Sequence, residues 1–364
     1  MKYLKNTPRI IAVLAVAIFC VQQLHAATDI WNAPSGGNWS ENANWSTLAA
    51  PQAGDDVQFG DVGAGSQNTM DQAFTIDSLF YNQDNGSAHT TLLNPGLTLT
   101  VSRQASGDVL NVGSTSGATT SSTLVPVAIQ GPGATLSLSG TGDLVVRQGN
   151  SSNGSHMATL DMSALDNFNA SIGRMLVGQA NAGASVNRPS GTLYLAKTNT
   201  ITLSGAAPQV MVQDSGSNAN GSQVSALYLG QVNFLYADQF RWGGQKGNGN
   251  VTFNAIFSTP SLVIRNSDQV SRSTQLAVGD NSFASSGNST TANADLTAGT
   301  VDALIDTVYV ARGNPGPSSG SCTGTLGWSA GTFDINTLNI GYQIATGANG
   351  AANGTVLVNN NSLV

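Results

Sequence analysis

Leu193-Tyr194-Leu195-Ala196 is matched further along by Leu227-Tyr228-Leu229-Gly230, and the same apolar–x–apolar–small pattern recurs along the chain. It returns as Leu110-Asn111-Val112-Gly113, Met175-Leu176-Val177-Gly178, Leu276-Ala277-Val278-Gly279, Val308-Tyr309-Val310-Ala311 and Leu338-Asn339-Ile340-Gly341. Each copy reads as a strand of period two that ends on a residue small enough for a tight corner. Several copies are separated by about 30 to 35 residues, the span of one supersecondary repeat. One strand-and-corner unit, repeated in a chain with almost no helix pattern, predicts an all-β fold. The expected form is a single-stranded parallel β-helix (β-solenoid) with an N-terminal Trp-rich cap. Alternate residues point inward and stack on their equivalents in the next coil.

Residues 1–26 read as a signal peptide. Lys2, Lys5 and Arg9 precede the apolar run from Ile10 to Val21, and Leu24-His25-Ala26 offers a cleavage site. That run is too short for a membrane span. Cys20 follows Phe19 rather than the small residue of a lipoprotein signal, so lipid anchoring is not expected. Beyond residue 26 only Cys322 remains, which excludes an intramolecular disulfide. There the 20 acidic residues face ten basic ones, the 13 of the whole chain less the three in the signal. Glu41 is the single glutamate, and Lys197 and Lys246 are the two remaining lysines. Helix-favouring Glu and Lys are thus scarce, and a net acidic surface is a poor match for nucleic acid.

Residues 27–65 form a capping segment that carries Trp31, Trp39 and Trp45, three of the five tryptophans. Residues 66–364 are read as β-helix repeats, incomplete at the C-terminus, where Thr355-Val356-Leu357-Val358-Asn359 is a core-type strand without a seal. At about 30 residues per coil and about 4.8 Å between coils, roughly eleven coils would make a rod on the order of 50 Å long. Ala298-Gly299-Thr300-Val301-Asp302-Ala303 is echoed by Ala330-Gly331-Thr332-Phe333-Asp334-Ile335. Other intervals are irregular, short from Gly178 to Ala196 and long from Gly230 to Gly279. The long one is expected to hide a coil at Phe240-Arg241-Trp242-Gly243.

The opening Trp31-x4-Gly36-Gly37-x-Trp39-x4-Asn44-Trp45, followed by Pro51-x2-Gly54-Asp55-x-Val57-x-Phe59, resembles bacterial autotransporter-associated β-strand-repeat proteins. These are exported surface proteins, with relatives that carry a Pro-Glu-Pro sorting signal. Later units such as 191–196 and 298–302 are similar to that group as well. The resemblance implies a passenger-type β-helix on the outer cell surface or outside the cell, adhesin-like and without assigned catalytic residues. The chain carries neither the outer-membrane barrel pattern nor the Pro-Glu-Pro tail, so its mode of anchoring stays open.

Candidate chemistry divides between catalysis and structure. Asp55-Asp56 could form the carboxylate pair of a glycosidase, or cap a turn. Asp302, Asp306 and Asp334 could line a Ca²⁺ site, or bond the backbone at coil corners. Arg147, Arg174, Arg265 and Arg312 fall next to strands and could serve a lyase as base or as contact to an anionic sugar, but no matching Asp cluster accompanies them; a solvated face or a salt link to a neighbouring coil is expected. His89 and His156 are placed in loops without metal or triad partners, and Cys322 in a loop without a companion. No catalytic residue, metal or cofactor is expected. Trp31, Trp39 and Trp45 are possible ligand contacts as a sugar-stacking platform, with burial in the cap as the other reading. The function expected is an exported, non-catalytic structural or adhesive surface protein, with extracellular polysaccharide or matrix as partner. The alternative is a polysaccharide-active or polysaccharide-binding β-helix.

Overall fold

A computed structural model describes residues 27–103, 106–113, 124–148, 157–179, 189–214, 224–282, 289–313, 320–344, 350–359 and 362–363. The signal segment and His156 lie outside the described residues.

The described chain is a β-solenoid in which strand pairs run parallel from coil to coil, with three strands per coil. On the first face Gly37–Asn38 begins a ladder through Gln67–Met70 and His89–Leu93 that reaches Ala352–Val358. The second face runs from Phe74–Ile76 through Thr98–Arg103 and onward, and the third from Thr28–Ile30 through Asp56–Phe59 and Ser78–Tyr81. About nine turns are complete, fewer than the roughly eleven expected, because an incomplete coil stands at each end. Coil length varies almost twofold: Val57 pairs with Leu79 at the short extreme, and Val251 with Ala294 at the long one.

The recurring motif proves to be two interleaved series. The copies ending at Gly113, Gly178, Gly279, Ala311 and Gly341 lie on the third face, and Phe240-Arg241-Trp242-Gly243 joins them there. The copies ending at Ala196 and Gly230 lie on the first. The short interval from Gly178 to Ala196 is therefore a walk from one face to the next, whereas Ala196 to Gly230 is a whole coil. The C-terminal echo is also re-registered. Leu296 pairs with Trp328, but Thr300 pairs with Ala330, at a shorter offset along the chain. A bulge between Leu296 and Thr300 takes up the difference.

Inward positions form continuous rows. On the third face Val112, Val146, Val177, Val212, Trp242, Val278 and Val310 follow one another in register, all fully buried. Leu195 and Leu229 lie in the same core, as do Trp242 and Trp328. Ile340 continues the row beyond Val310, yet it is 50% exposed because the final coil carries little above it. At the opposite end Trp31, Trp39 and Trp45 pack edge to face, with centroids 5.0 and 5.4 Å apart and planes at 82° and 85°. Phe59 and Phe74 lie beneath them.

The residue after that third-face row adopts left-handed backbone in seven coils. Gly113, Gly178, Gln213, Gly243, Gly279, Ala311 and Gly341 have φ between 61° and 99°. At Gly178 (φ +68°) a Cβ would lie 1.9 Å from Ser225 Oγ of the next coil. Gly54 (φ +98°) has no atom within 4 Å of the corresponding position. Gly178→Ala is therefore expected to lower stability by well over the roughly 1–2 kcal/mol of a left-handed backbone alone. Gly54→Ala should lose about that backbone cost only. Urea denaturation of the two variants checks the difference, and equal losses would contradict the close approach.

Candidate functional site

The sequence candidates resolve mostly into structural roles. Trp31, Trp39 and Trp45 are 1%, 0% and 0% exposed, and each indole N–H is satisfied within the cap. Trp31 Nε1 donates to Ala33 O at 3.0 Å, Trp39 Nε1 to Asn68 Oδ1 at 2.8 Å and Trp45 Nε1 to Trp39 O at 2.8 Å. The three rings seal the first coil and leave no face on which a sugar could stack.

Asp55 caps a turn, accepting from Gln52 N at 2.7 Å and Ala27 N at 3.3 Å. Asp56 instead faces Ser78 and Arg103 Nη1, the latter at 2.8 Å, so the adjacent carboxylates do not act as a pair. Arg174, Arg265 and Arg312 make the expected salt links to aspartates of other coils, and Arg241 and Arg272 do the same. Arg174 bonds Asp143 at 2.6 Å, Arg265 bonds Asp302 at 2.8 Å, and Arg272 bonds Asp334 at 2.6 Å. Arg241 reaches both Asp214 at 2.8 Å and Asp280 at 3.4 Å, and Arg312 approaches Asp280 at 3.9 Å. Burial pulls the Arg147 guanidinium down against the attraction of Asp108 and Asp143. Asp306 accepts from Asn336 Nδ2 at 2.7 Å. Asp302, Asp306 and Asp334 thus engage separate partners rather than one ion, and no metal-binding cluster occurs among the described residues.

His89 and Cys322 are in strands, not loops, with side chains turned into the core. Each is the first residue of its strand, where the composition still reads as loop. Burial pushes the Cys322 thiol up to about 12, with the Asp280 charge adding to it, so the group stays a thiol at neutral pH. His89 Nε2 meets Gly60 O at 2.6 Å, and the ring packs against Phe59 and Tyr81.

The sequence reading missed a pair of inward asparagines on the second face. Asn199 and Asn233 pair across adjacent coils and are fully buried. Asn233 Nδ2 donates to Gly230 O and Ser261 O, both at 2.8 Å. Its Oδ1 accepts from Gly230 N at 2.8 Å and Asn199 Nδ2 at 3.0 Å. The signal was available: Leu193-Tyr194-Leu195-Ala196 and Leu227-Tyr228-Leu229-Gly230 are each followed by x-x-Asn. The asparagines satisfy the corner backbone and are structural.

What remains exposed and regular is the outer side of the second face. Residues 98–102, 135–139, 167–171 and 198–202 read Thr-Leu-Thr-Val-Ser, Thr-Leu-Ser-Leu-Ser, Asn-Phe-Asn-Ala-Ser and Thr-Asn-Thr-Ile-Thr. They stack in register over four coils, so the outward positions form three columns of hydroxyl and amide groups. Phe234 and Tyr236 extend two of these columns, with ring centroids 6.2 Å apart and planes at 23°. A groove of about 360 Å³ lies over the last three of these coils, lined by Ser137, Ser139, Asn169, Ser171, Thr200 and Thr202, with Leu138 and Ala170 between them, and by Gln269 from the turn after Ser261–Arg265. Among the described residues no charged side chain lines it. No known family model, curated protein or solved structure matches this chain.

Two outcomes follow. Asn233→Leu is expected to cost about 2–4 kcal/mol, since the corner N–H and carbonyl groups lose their partners in a buried site. Leu262 occupies the paired position one coil on, so the lost hydrogen bonds, not misfit of an apolar side chain, set the loss. Chemical denaturation measures it, and a loss under about 1 kcal/mol would contradict the role. The second outcome concerns pH. Burial lowers the His89 pKa below 6.5, so above about 6.5 the ring is neutral whether folded or unfolded. As pH falls below that value the unfolded chain takes up the proton first, and stability is lost. Melting temperature between pH 7.5 and 5 should therefore fall more steeply in the wild type than in His89→Gln; parallel profiles would contradict this.

Proposed function

We propose that the chain is an exported, non-catalytic surface protein whose β-solenoid serves as a passenger-like, adhesive scaffold outside the cell. The observation that carries this reading is the contrast between its charges and its regular outer face. Six described arginines are paired with aspartates across coils, at distances from 2.6 to 3.9 Å. Glycoside hydrolysis needs two carboxyl groups facing one substrate, and lyase chemistry needs a cation and a base in one groove. The groove over the second face is lined by neutral groups only. A stiff rod carrying repeated weak contacts suits attachment, where avidity grows with the number of contacts engaged. The signal-like opening and the resemblance of the Trp-rich segment support placement at the outer surface or beyond it.

Turnover separates this reading from the alternative of a polysaccharide-active enzyme. Purified protein is incubated with a panel of neutral and anionic polysaccharides, and both co-sedimentation and newly formed chain ends are measured. Retention on a polysaccharide or on extracellular matrix without new chain ends is expected. Saturable release of reducing or unsaturated ends would make the protein an enzyme and end the non-catalytic reading.

A further inference from the structure

The geometry points to the groove over the second face as a binding site for a single neutral polysaccharide chain lying along the rod axis. This deepens the adhesive reading and rests on it.

Four features of the groove select that ligand. The floor presents Ser137, Ser139, Asn169, Ser171, Thr200 and Thr202, each able to donate and accept hydrogen bonds, as sugar hydroxyls do. The lining is uncharged, so a uronate or sulfated polymer would lose hydration without gaining a counter-charge. The columns climb one coil at a time, by about 4.8 Å. That rise is close to the length of one extended pyranose unit, so a linear chain along a column meets an equivalent hydroxyl at each sugar. Phe234 and Tyr236 continue the columns beyond Thr200 and Thr202 as half-buried, nearly parallel rings. Such rings offer apolar faces to the C–H side of a sugar.

The wall of the groove decides between a chain and an extended surface. Gln269 stands in a turn at φ 68°, held by a set of local bonds. Asp268 Oδ1 accepts from Val270 N at 2.9 Å and Ser271 N at 2.8 Å, and Asn266 Nδ2 reaches Asp238 Oδ1 at 3.1 Å. Hydrogen bonds from Ser271 and Val270 hold the Asp268 carboxyl below the usual range. A flat crystalline surface such as ice needs an unobstructed plane, which this fixed turn interrupts. A single chain needs no such plane.

Affinity electrophoresis and calorimetry with neutral soluble glucans and mannans, against alginate and polygalacturonate, test the assignment. The variants are Thr200→Val/Thr202→Val, Ser171→Arg and Tyr236→Ala, with Thr252→Val on the first face as control and circular dichroism to verify folding. Val keeps the shape and strand preference of Thr, so the double variant should fold as the wild type does. Binding to at least one neutral polymer is expected, weakened about tenfold or more by each groove variant and unchanged by the control, with many contacts acting together. Binding unchanged by the groove variants would overturn the site while leaving the adhesive reading in place. Preference for anionic polymers would overturn the ligand class. Thermal hysteresis with no glycan binding would assign the face to ordered water instead. Attachment to matrix with no polysaccharide binding would overturn the inference alone, and attachment to nothing would overturn both.

Discussion

Everything in this solenoid depends on the left-handed residue that closes the third-face strand of most coils. A period-two strand cannot turn a corner by itself; one residue at positive φ redirects the chain so that the next strand lands beside its equivalent. Once that corner recurs, the inward rows from Val112 to Val310 superimpose and the backbone ladders follow. Glycine is the low-strain choice, yet Gln213 takes the position at φ 61°. Its side chain is fully buried and bonded across the corner, Nε2 donating to Pro189 O at 3.1 Å and Oε1 accepting from Ser225 Oγ at 2.5 Å. Those bonds offset the conformational cost, which is why the corner tolerates a large residue there.

The ion pairs act on the same constraint from outside. Each links one coil to another, so slipping a strand by one residue would separate the charges as well as turn the apolar row outward. Their weight is uneven. Arg241 with Asp214 and Asp280 is nearly dry, so removal of one partner would strand a buried charge at about 3–5 kcal/mol. Arg265 with Asp302, whose carboxylate is half exposed, contributes little to stability. Arginines next to strands are therefore parts of the frame, and an acidic chain can still present a neutral groove.

The coil architecture was legible because inward aliphatic residues at spacing two leave a pattern that survives variable loops. The reading of the motif as one series failed because two faces carry the same Leu/Val-x-Leu/Val-small unit, and only pairing tells them apart. Salt links between coils were expected of the arginines, but which aspartate each one meets was illegible for a related reason. Arg103 reaches Asp77 in a neighbouring coil while Arg272 reaches as far as Asp334, and coils of uneven length give no fixed offset to search for. The Thr/Ser/Asn columns were hidden likewise. Residues 98–102 and 198–202 look like ordinary amphipathic strands until their registers show that four of them align. The asparagine rungs were legible in principle, since matching Leu-Tyr-Leu-small units precede them, but an inward Asn breaks the apolar rule used to recognise strands.

Interior and exterior of such a rod carry different information. Stacking fixes the inward residues: each must fill the same cross-section as its neighbours above and below, so they report fold and little else. Outward residues between corners are free of that demand, and a run of chemically equivalent choices there needs a separate cause. Strand propensity alone would accept Val, Ile or Tyr as readily as Thr at these sites. On the second face the four rungs from Thr98 to Thr202 keep hydroxyl and amide groups, while the next rungs bring Phe234 and Tyr236 and then Val263 and Arg265. The change within one sheet, above an aliphatic row that runs on beneath it through Ile201, Leu235 and Ile264, locates the exterior constraint on the coils that line the groove.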